Sequence, residues 1–329
     1  MAAILICPFC KSALDNNLFS LMSGNKNISC KNCKAEFQNY AGCIDFTVKK
    51  SNDKEFYEKR YAGSSTYEAA KLDFEILKRM WFYPALPARK VFINELDIKS
   101  LRNKCILLLG NGKSLKELYF LKLGAKVIYT DISLSAVADI KSKFDFDAYE
   151  GKIVFHAVDA CNIPLSNESI DIVIGYGFVH HLDDPDSFIR ETYRVLKQGG
   201  KCLFGDAAYS SIWQSAKFSF LKPVVNYSHK RWGISPEDKK ATQRGGYYKQ
   251  EVENWRNKYN FSEMTFVRFG LLSYIFRRGT EKLFGYNKFI ELVREIVIPV
   301  LFKIDNFIAK RSPSFYKISI DLVWGFKKG

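Results

Sequence analysis

Cys105-Ile106-Leu107-Leu108-Leu109-Gly110-Asn111-Gly112-Lys113-Ser114 decides how this chain is read. Five consecutive apolar residues end on two glycines one residue apart, and Leu115–Leu123 continues with helical character. An unbroken apolar run of this length fits a strand buried on both faces. Glycines between a strand and a helix let a ligand approach backbone amides at the helix N-terminus. A Walker A loop would need glycine five residues before Gly112, where Leu107 stands, so nucleoside triphosphate cradling is excluded. A dinucleotide fingerprint would need a third glycine at Leu115, which weakens a hydride-transfer reading.

Outward from this stretch, apolar segments Val127–Thr130, Ile153–Ala157, Ile170–Gly175 and Lys201–Gly205 alternate with helical segments Leu134–Phe144 and Pro185–Leu196. Repeated strand-then-helix predicts an α/β, Rossmann-like parallel sheet with helices on both faces. Residues 246–261 read as a last helix, Met264–Gly270 as a sixth strand and Ile318–Phe326 as a seventh. A helical insertion is expected between those two strands, over about 271–315. There Phe289, Leu292, Val293, Ile296, Val300, Leu301, Ile304, Phe307 and Ile308 recur at helical spacing around Pro299, accompanied by Lys288, Arg294, Lys303, Lys310 and Arg311.

The N-terminal end carries a different signal. Cys7-Pro8-Phe9-Cys10 and Cys30-Lys31-Asn32-Cys33 are two C-x2-C knuckles, each able to turn both thiolates toward one ion. Four such ligands predict a small structural zinc ribbon over 1–48, whose fold draws on metal binding and whose closed coordination leaves no catalytic position. Residues 49–100 read as a helical linker, with 101–329 as the main domain.

Composition bounds the partners. The 329 residues are 47% hydrophobic and 26% charged, an ordinary globular balance. The net charge is +15, and from Lys201 onward 23 basic residues face 11 acidic ones in a stretch holding half the aromatics. This imbalance points to an anionic partner, either a membrane surface or nucleic acid. No apolar run is long enough to span a bilayer. The start, MAAILIC, lacks the basic region of a signal peptide, so a cytoplasmic protein with reduced thiols is expected.

From about Lys104 to Asp206 the chain resembles the class I, "type 11" methyltransferases dependent on S-adenosylmethionine. The glycine loop is similar to the family's first motif. Asp131, closing Val127-Ile128-Tyr129-Thr130-Asp131-Ile132, matches its ribose-binding acid. Val158-Asp159-Ala160 matches the adenine position, and Ser169–Ile174 the fourth strand. Phe178-Val179-His180-His181-Leu182 and Arg194-Val195-Leu196-Lys197-Gln198-Gly199-Gly200 are close to phrases common in that family. The resemblance implies a seven-stranded sheet and cofactor contacts from Gly110, Asn111, Gly112, Asp131, Ile132, Asp159, Ala160 and Tyr176. Two departures are Leu108, where the family places an acid, and Ser114, where it often has a third glycine.

Methyl transfer needs an aligned acceptor and, for a hydroxyl or acidic carbon, a base. Candidates at the ends of the fourth and fifth strands are His180, Tyr176 and Asp206, with Tyr209 nearby. The plainer reading of the two histidines is that they cap and pack the next helix. Tyr57 and Tyr61 resemble a segment that covers the cofactor in related enzymes, although a plain amphipathic helix fits them equally. The expected function is methyl transfer to a small-molecule, lipid-linked or saccharide acceptor by a cytoplasmic enzyme, peripheral on the inner membrane face. The alternatives are an RNA methyltransferase using the ribbon for recognition, and a non-catalytic scaffold with a degenerate cofactor site.

Overall fold

The computed structural model describes residues 4–15, 27–47, 52–62, 73–82, 87–143, 146, 149–207, 247, 249–269, 271–284, 288–312 and 321–329. Six short strands come first: β1 (Leu5–Ile6), β2 (Ala13–Asp15), β3 (Ile28–Ser29), β4 (Glu36–Phe37), β5 (Asn39–Tyr40) and β6 (Cys43–Asp45). Helices α1 (Asn52–Tyr61), α2 (Phe74–Phe82) and α3 (Pro87–Leu96) lead into the main alternation. That alternation runs β7 (Cys105–Leu109), α4 (Tyr119–Lys122), β8 (Lys126–Asp131), α5 (Leu134–Lys143), β9 (Ile153–Ala157), β10 (Ile170–Tyr176), α6 (Pro185–Val195) and β11 (Leu196–Ala207). Then come α7 (Lys249–Lys258), β12 (Phe261–Phe269), α8 (Leu272–Phe284), α9 (Lys288–Arg311) and β13 (Asp321–Lys328).

The main sheet has the order β12-β13-β11-β10-β7-β8-β9-β6-β5. Strands β7 to β11 are mutually parallel, and β13 lies antiparallel to both β11 and β12. The seven strands expected from the sequence are all present. Two more, β6 and β5, extend the edge: Ile44 and Asp45 pair in parallel with His156 and Ala157 of β9. The last hairpin of the cysteine-bearing segment thus belongs to the main sheet, and Cys43 is fully buried in its core.

Alternation along β7 shows why an unbroken apolar run was required. Leu107 and Leu109 enter one core, while Ile106 and Leu108 enter the other, on the opposite face. The segment Leu115–Leu123 does not form one regular helix. It makes a 3-10 turn at Lys116–Leu118 and the single turn of α4, ended by Gly124 at φ 82°. Leu118, Phe120 and Leu121 are all buried there, so packing outweighs helical regularity. Helix α6 begins with Pro185 after Asp184, whose carboxylate accepts from Ser187 N at 3.0 Å.

Part of the sequence resemblance is structural. Asp171 accepts from Cys105 N at 2.9 Å and from Lys197 Nζ at 2.8 Å, clasping β7, β10 and the bulged start of β11 over Lys197-Gln198-Gly199-Gly200 at the end of the sheet away from the glycine loop. At the other end, strand order reverses between β7 and β10, which opens a crevice beyond their C-terminal ends.

Candidate cofactor site and cysteine cluster

Gly110 and Gly112 occupy positive φ of 58° and 52°, where a β-carbon is disfavoured. A β-carbon at Gly110 would stand 2.4 Å from the Phe178 ring, and one at Gly112 would stand 2.5 Å from the Tyr61 hydroxyl. The loop is held from below by Tyr129, whose hydroxyl donates to Gly112 O at 2.9 Å and Ser114 O at 2.8 Å. Asn111 turns its amide back to Ser114 O at 3.2 Å, bracing the turn.

Asp131, at the end of β8, is 6% exposed and accepts from Gly112 N at 2.7 Å and Ser133 N at 3.0 Å. Burial pushes its carboxyl up to about 6, against the lowering effect of those amides. Each carboxylate oxygen retains capacity for a second donor. A buried carboxylate beside a glycine turn at the switch point fits the two adjacent hydroxyls of a ribose. Ile132 follows, half-buried. The residues therefore fit an adenosyl cofactor.

Asp159 and Ala160 follow β9. The Asp159 carboxylate accepts from Cys161 N at 2.8 Å and its carbonyl from Asn162 N at 2.9 Å, so it shapes a turn, while Ala160 is buried. Tyr176, 47% exposed at the end of β10, lays its ring where a β-carbon on Gly205 would go. The Lys116 ammonium lies 5.4 Å from that ring's centroid.

The His180 ring is hydrogen-bonded to the Asp206 carboxylate, with Nδ1–H facing Oδ1 as donor to an ionised acid. The Asp206 side chain is fully buried and that of His180 largely so. The His181 ring centroid lies 4.0 Å from that of His180, and Tyr57 meets His181 edge-on at 6.1 Å. The structure thus gathers His180 and Asp206 into one pair and leaves Tyr176 beside Lys116. Tyr209 lies outside the described residues.

Helix α1 lies against both the glycine loop and the start of α5. Glu58 accepts from Leu134 N at 2.6 Å, Ser135 N at 3.2 Å and Ser133 Oγ at 3.2 Å, capping α5. Lys113 Nζ donates to Tyr61 O at 3.2 Å. Glu58 was not singled out from the sequence, because its partners lie 75 to 77 residues away. Phe178, which stands in the sequence only as part of a family phrase, fills the space above Gly110 and Gly175.

The four cysteines converge. Cys7 and Cys33 sulfurs stand 3.5 Å apart, Cys10 and Cys30 3.6 Å, and all four lie within 4.8 Å of one another. A disulfide needs about 2 Å between sulfurs. Tetrahedral Zn–S bonds of about 2.3 Å place sulfurs about 3.8 Å apart, so the spacing fits one ion. The two knuckles match: Lys11 N donates to Cys7 O and Lys34 N to Cys30 O, both at 2.9 Å. Lys11 and Lys34 share a left-handed φ of about 60° (60° and 61°). The segment is clamped to the main domain, since Ile6 N donates to Pro164 O at 3.0 Å and Ser166 N to Ile4 O at 2.9 Å.

The fold is the α/β architecture of the class I methyltransferases, in which β13 inserts antiparallel between β11 and β12. Residues 107–204 match the family described as "Methyltransferase domain". It is 26% identical over 183 residues to the 2-methyl-6-phytyl-1,4-hydroquinone methyltransferase of Spinacia oleracea, covering 55% of this chain and 46% of that protein. To the demethylmenaquinone methyltransferase of Streptomyces avermitilis it is also 26% identical, over 46% of this chain and 70% of that protein. The chain spans about half the length of the first of these relatives. Among solved structures, the geranyl diphosphate C-methyltransferase of Streptomyces coelicolor matches with a TM-score of 0.50 and 11% identity, covering 85% of this chain and 99% of that one. This likeness is one of fold.

Proposed function

We propose that the chain transfers the methyl group of S-adenosylmethionine to a small-molecule acceptor, by the reading that the buried Asp131 carboxylate on the glycine turn supports best. In this reading Asp131 holds the ribose hydroxyls, the Gly110–Gly112 turn admits the cofactor against its backbone, and Ile132, Asp159, Ala160 and Tyr176 border it. When bound, S-adenosylmethionine supplies a methyl group on a sulfonium, ready for in-line displacement. The protein's part is to align and deprotonate the acceptor. His180 takes the proton of an acceptor hydroxyl at Nε2, while Asp206 holds Nδ1–H and stabilises the imidazolium that forms. Helix α1 excludes water from above the glycine loop.

Two of the relatives are named for methyl transfer to 2-methyl-6-phytyl-1,4-hydroquinone and to demethylmenaquinone. For this chain the finer reading is an acceptor carried on a lipid, met at the inner face of the membrane by a cytoplasmic protein. The C-terminal cations alternate with bulky apolar residues rather than forming a hydrophilic patch, which favours this over RNA. Calorimetric titration with S-adenosylhomocysteine, with NAD as control, tests the cofactor reading. Micromolar binding of the first alone is expected. No binding by the folded, cofactor-free protein would leave the scaffold reading in its place.

The cysteine cluster is read as a structural zinc site. Metal analysis is expected to find about one zinc per chain. Cys30→Ser is expected to release it and to loosen residues 4–47 first, measured by hydrogen exchange. A folded, metal-free segment would refute this.

A further inference from the structure

The 24-residue α9 has two unlike faces. Its inner face is fastened: Ile298 is fully buried, Phe302 packs on the core, and Arg294 Nε donates to Thr280 Oγ1 of α8 at 2.9 Å. Asp305 caps α8, accepting from Leu272 N at 2.9 Å, Ser273 N at 3.1 Å and Ser273 Oγ at 2.7 Å. The outer face carries Phe289, Leu292, Ile296, Val300, Ile304 and Phe307, exposed by 41 to 69%. Their spacings of three and four residues put all six in one stripe. At about 1.5 Å per residue, the stripe runs about 27 Å along the helix.

Charge is sorted between the faces. At about 100° per residue, Lys303 and Arg311 fall within the apolar stripe. The Arg311 guanidinium lies 3.7 Å from the centroid of the Phe307 ring. The carboxylates lie elsewhere. Asp305 is buried in the cap, Glu291 is paired with Arg294, and Glu295 sits about 120° around the helix. A stripe holding cations and no carboxylate offers a second copy of itself no counter-charge. An apolar layer beneath anionic headgroups satisfies both kinds of side chain: the rings and branched chains enter the layer while lysine and arginine reach the headgroups. None of the described helices is long and apolar enough to cross a membrane, so α9 would lie in the surface plane.

Sheet register ties this face to the crevice. Ala207, at the end of β11, pairs with Asp321, and Asp321 pairs with Phe269. The α8–α9 hairpin therefore leaves and rejoins the sheet at the end where Asp206 stands. We infer that the outer stripe of α9 is a docking face for an anionic bilayer, which brings the methyl-transfer crevice to the lipid surface. This rests on the methyltransferase reading only for its purpose; the docking itself is tested separately.

The test is flotation of the full chain with vesicles of phosphatidylcholine alone and of phosphatidylcholine mixed with phosphatidylglycerol. The expected result is recruitment to the anionic vesicles, reduced at least about tenfold by Leu292→Gln, Ile296→Gln and Val300→Gln together. Lys303→Glu with Arg311→Glu is expected to remove the preference for anionic lipid. S-adenosylhomocysteine binding in solution should be unchanged in both variants, which shows that they fold. A wild-type chain indifferent to anionic vesicles, or recruitment that survives the triple substitution, overturns the inference. So does a dimer in sedimentation that the triple variant dissolves, because the stripe would then face a second copy. Vesicle binding without S-adenosylhomocysteine binding would sink the functional reading and leave the docking face standing.

Discussion

Asp131→Ala is expected to weaken S-adenosylhomocysteine binding by at least about 100-fold while the fold survives. Two charge-assisted hydrogen bonds to a ribose contribute about 1.5–3 kcal/mol each, and each 1.4 kcal/mol is about tenfold in affinity. Asp131→Asn keeps the volume but replaces one acceptor oxygen with a donor, so it should lose nearly as much. Affinity should also depend on pH in a definite direction. In the free protein, burial raises the carboxyl from 3.8 to about 6, and the ribose hydroxyls donate to the ionised form. Binding is therefore expected to be full above about pH 6 and to fall as pH drops below it, in wild type but not in Asp131→Asn. The linked stability runs the opposite way. A raised folded-state value favours the folded, cofactor-free protein below about pH 4, and this contribution is lost as pH rises through about 6. A flat affinity across this range would remove Asp131 from the ribose.

His180→Ala is expected to lower kcat by about 100- to 10,000-fold on a hydroxyl acceptor, with cofactor affinity unchanged. Asp206→Asn should act in the same direction, because the buried carboxylate fixes which ring nitrogen carries the proton. Its structural test is His180 itself: an Asp206→Asn chain that folds but keeps full kcat would mean that the pair only fastens the turn after β10 to β11. The plainer reading of the two histidines, that they cap and pack the next helix, would likewise leave kcat unchanged, and the kinetic split separates it from catalysis.

The centre of the fold was legible because its chemistry is local. An apolar run buried on both faces, a glycine turn at positive φ and an acid at the end of the next strand each leave marks within a few residues. The cysteine pairs were legible for the same reason, since each knuckle is built within five residues. What escaped depends on tertiary packing. Strands β5 and β6 are two and three residues long, too short for any periodicity, and their place is set by pairing with β9 more than a hundred residues on. Glu58 caps a helix to which nothing in its own surroundings points. Asp159 matched an adenine position by resemblance alone, and its hydrogen bonds from Cys161 and Asn162 display a turn as well. The resemblance over Arg194–Gly200 marked the right family, yet Lys197 acts on Asp171 at the far end of the sheet from the crevice.

The edge position of β6 has a consequence for chains shortened at the N-terminus. With β6 in place, His156 and Ala157 at the end of β9 are paired by the cysteine-bearing segment. Trimming residues 1–48 would uncover the backbone amide and carbonyl groups of that end of β9, on a strand whose side chains Ile153, Val154, Phe155 and Ala157 are all apolar and buried. Such a bare, hydrophobic border recruits strands from neighbouring chains. A trimmed protein is therefore expected to associate through this edge and to precipitate more readily than the full chain.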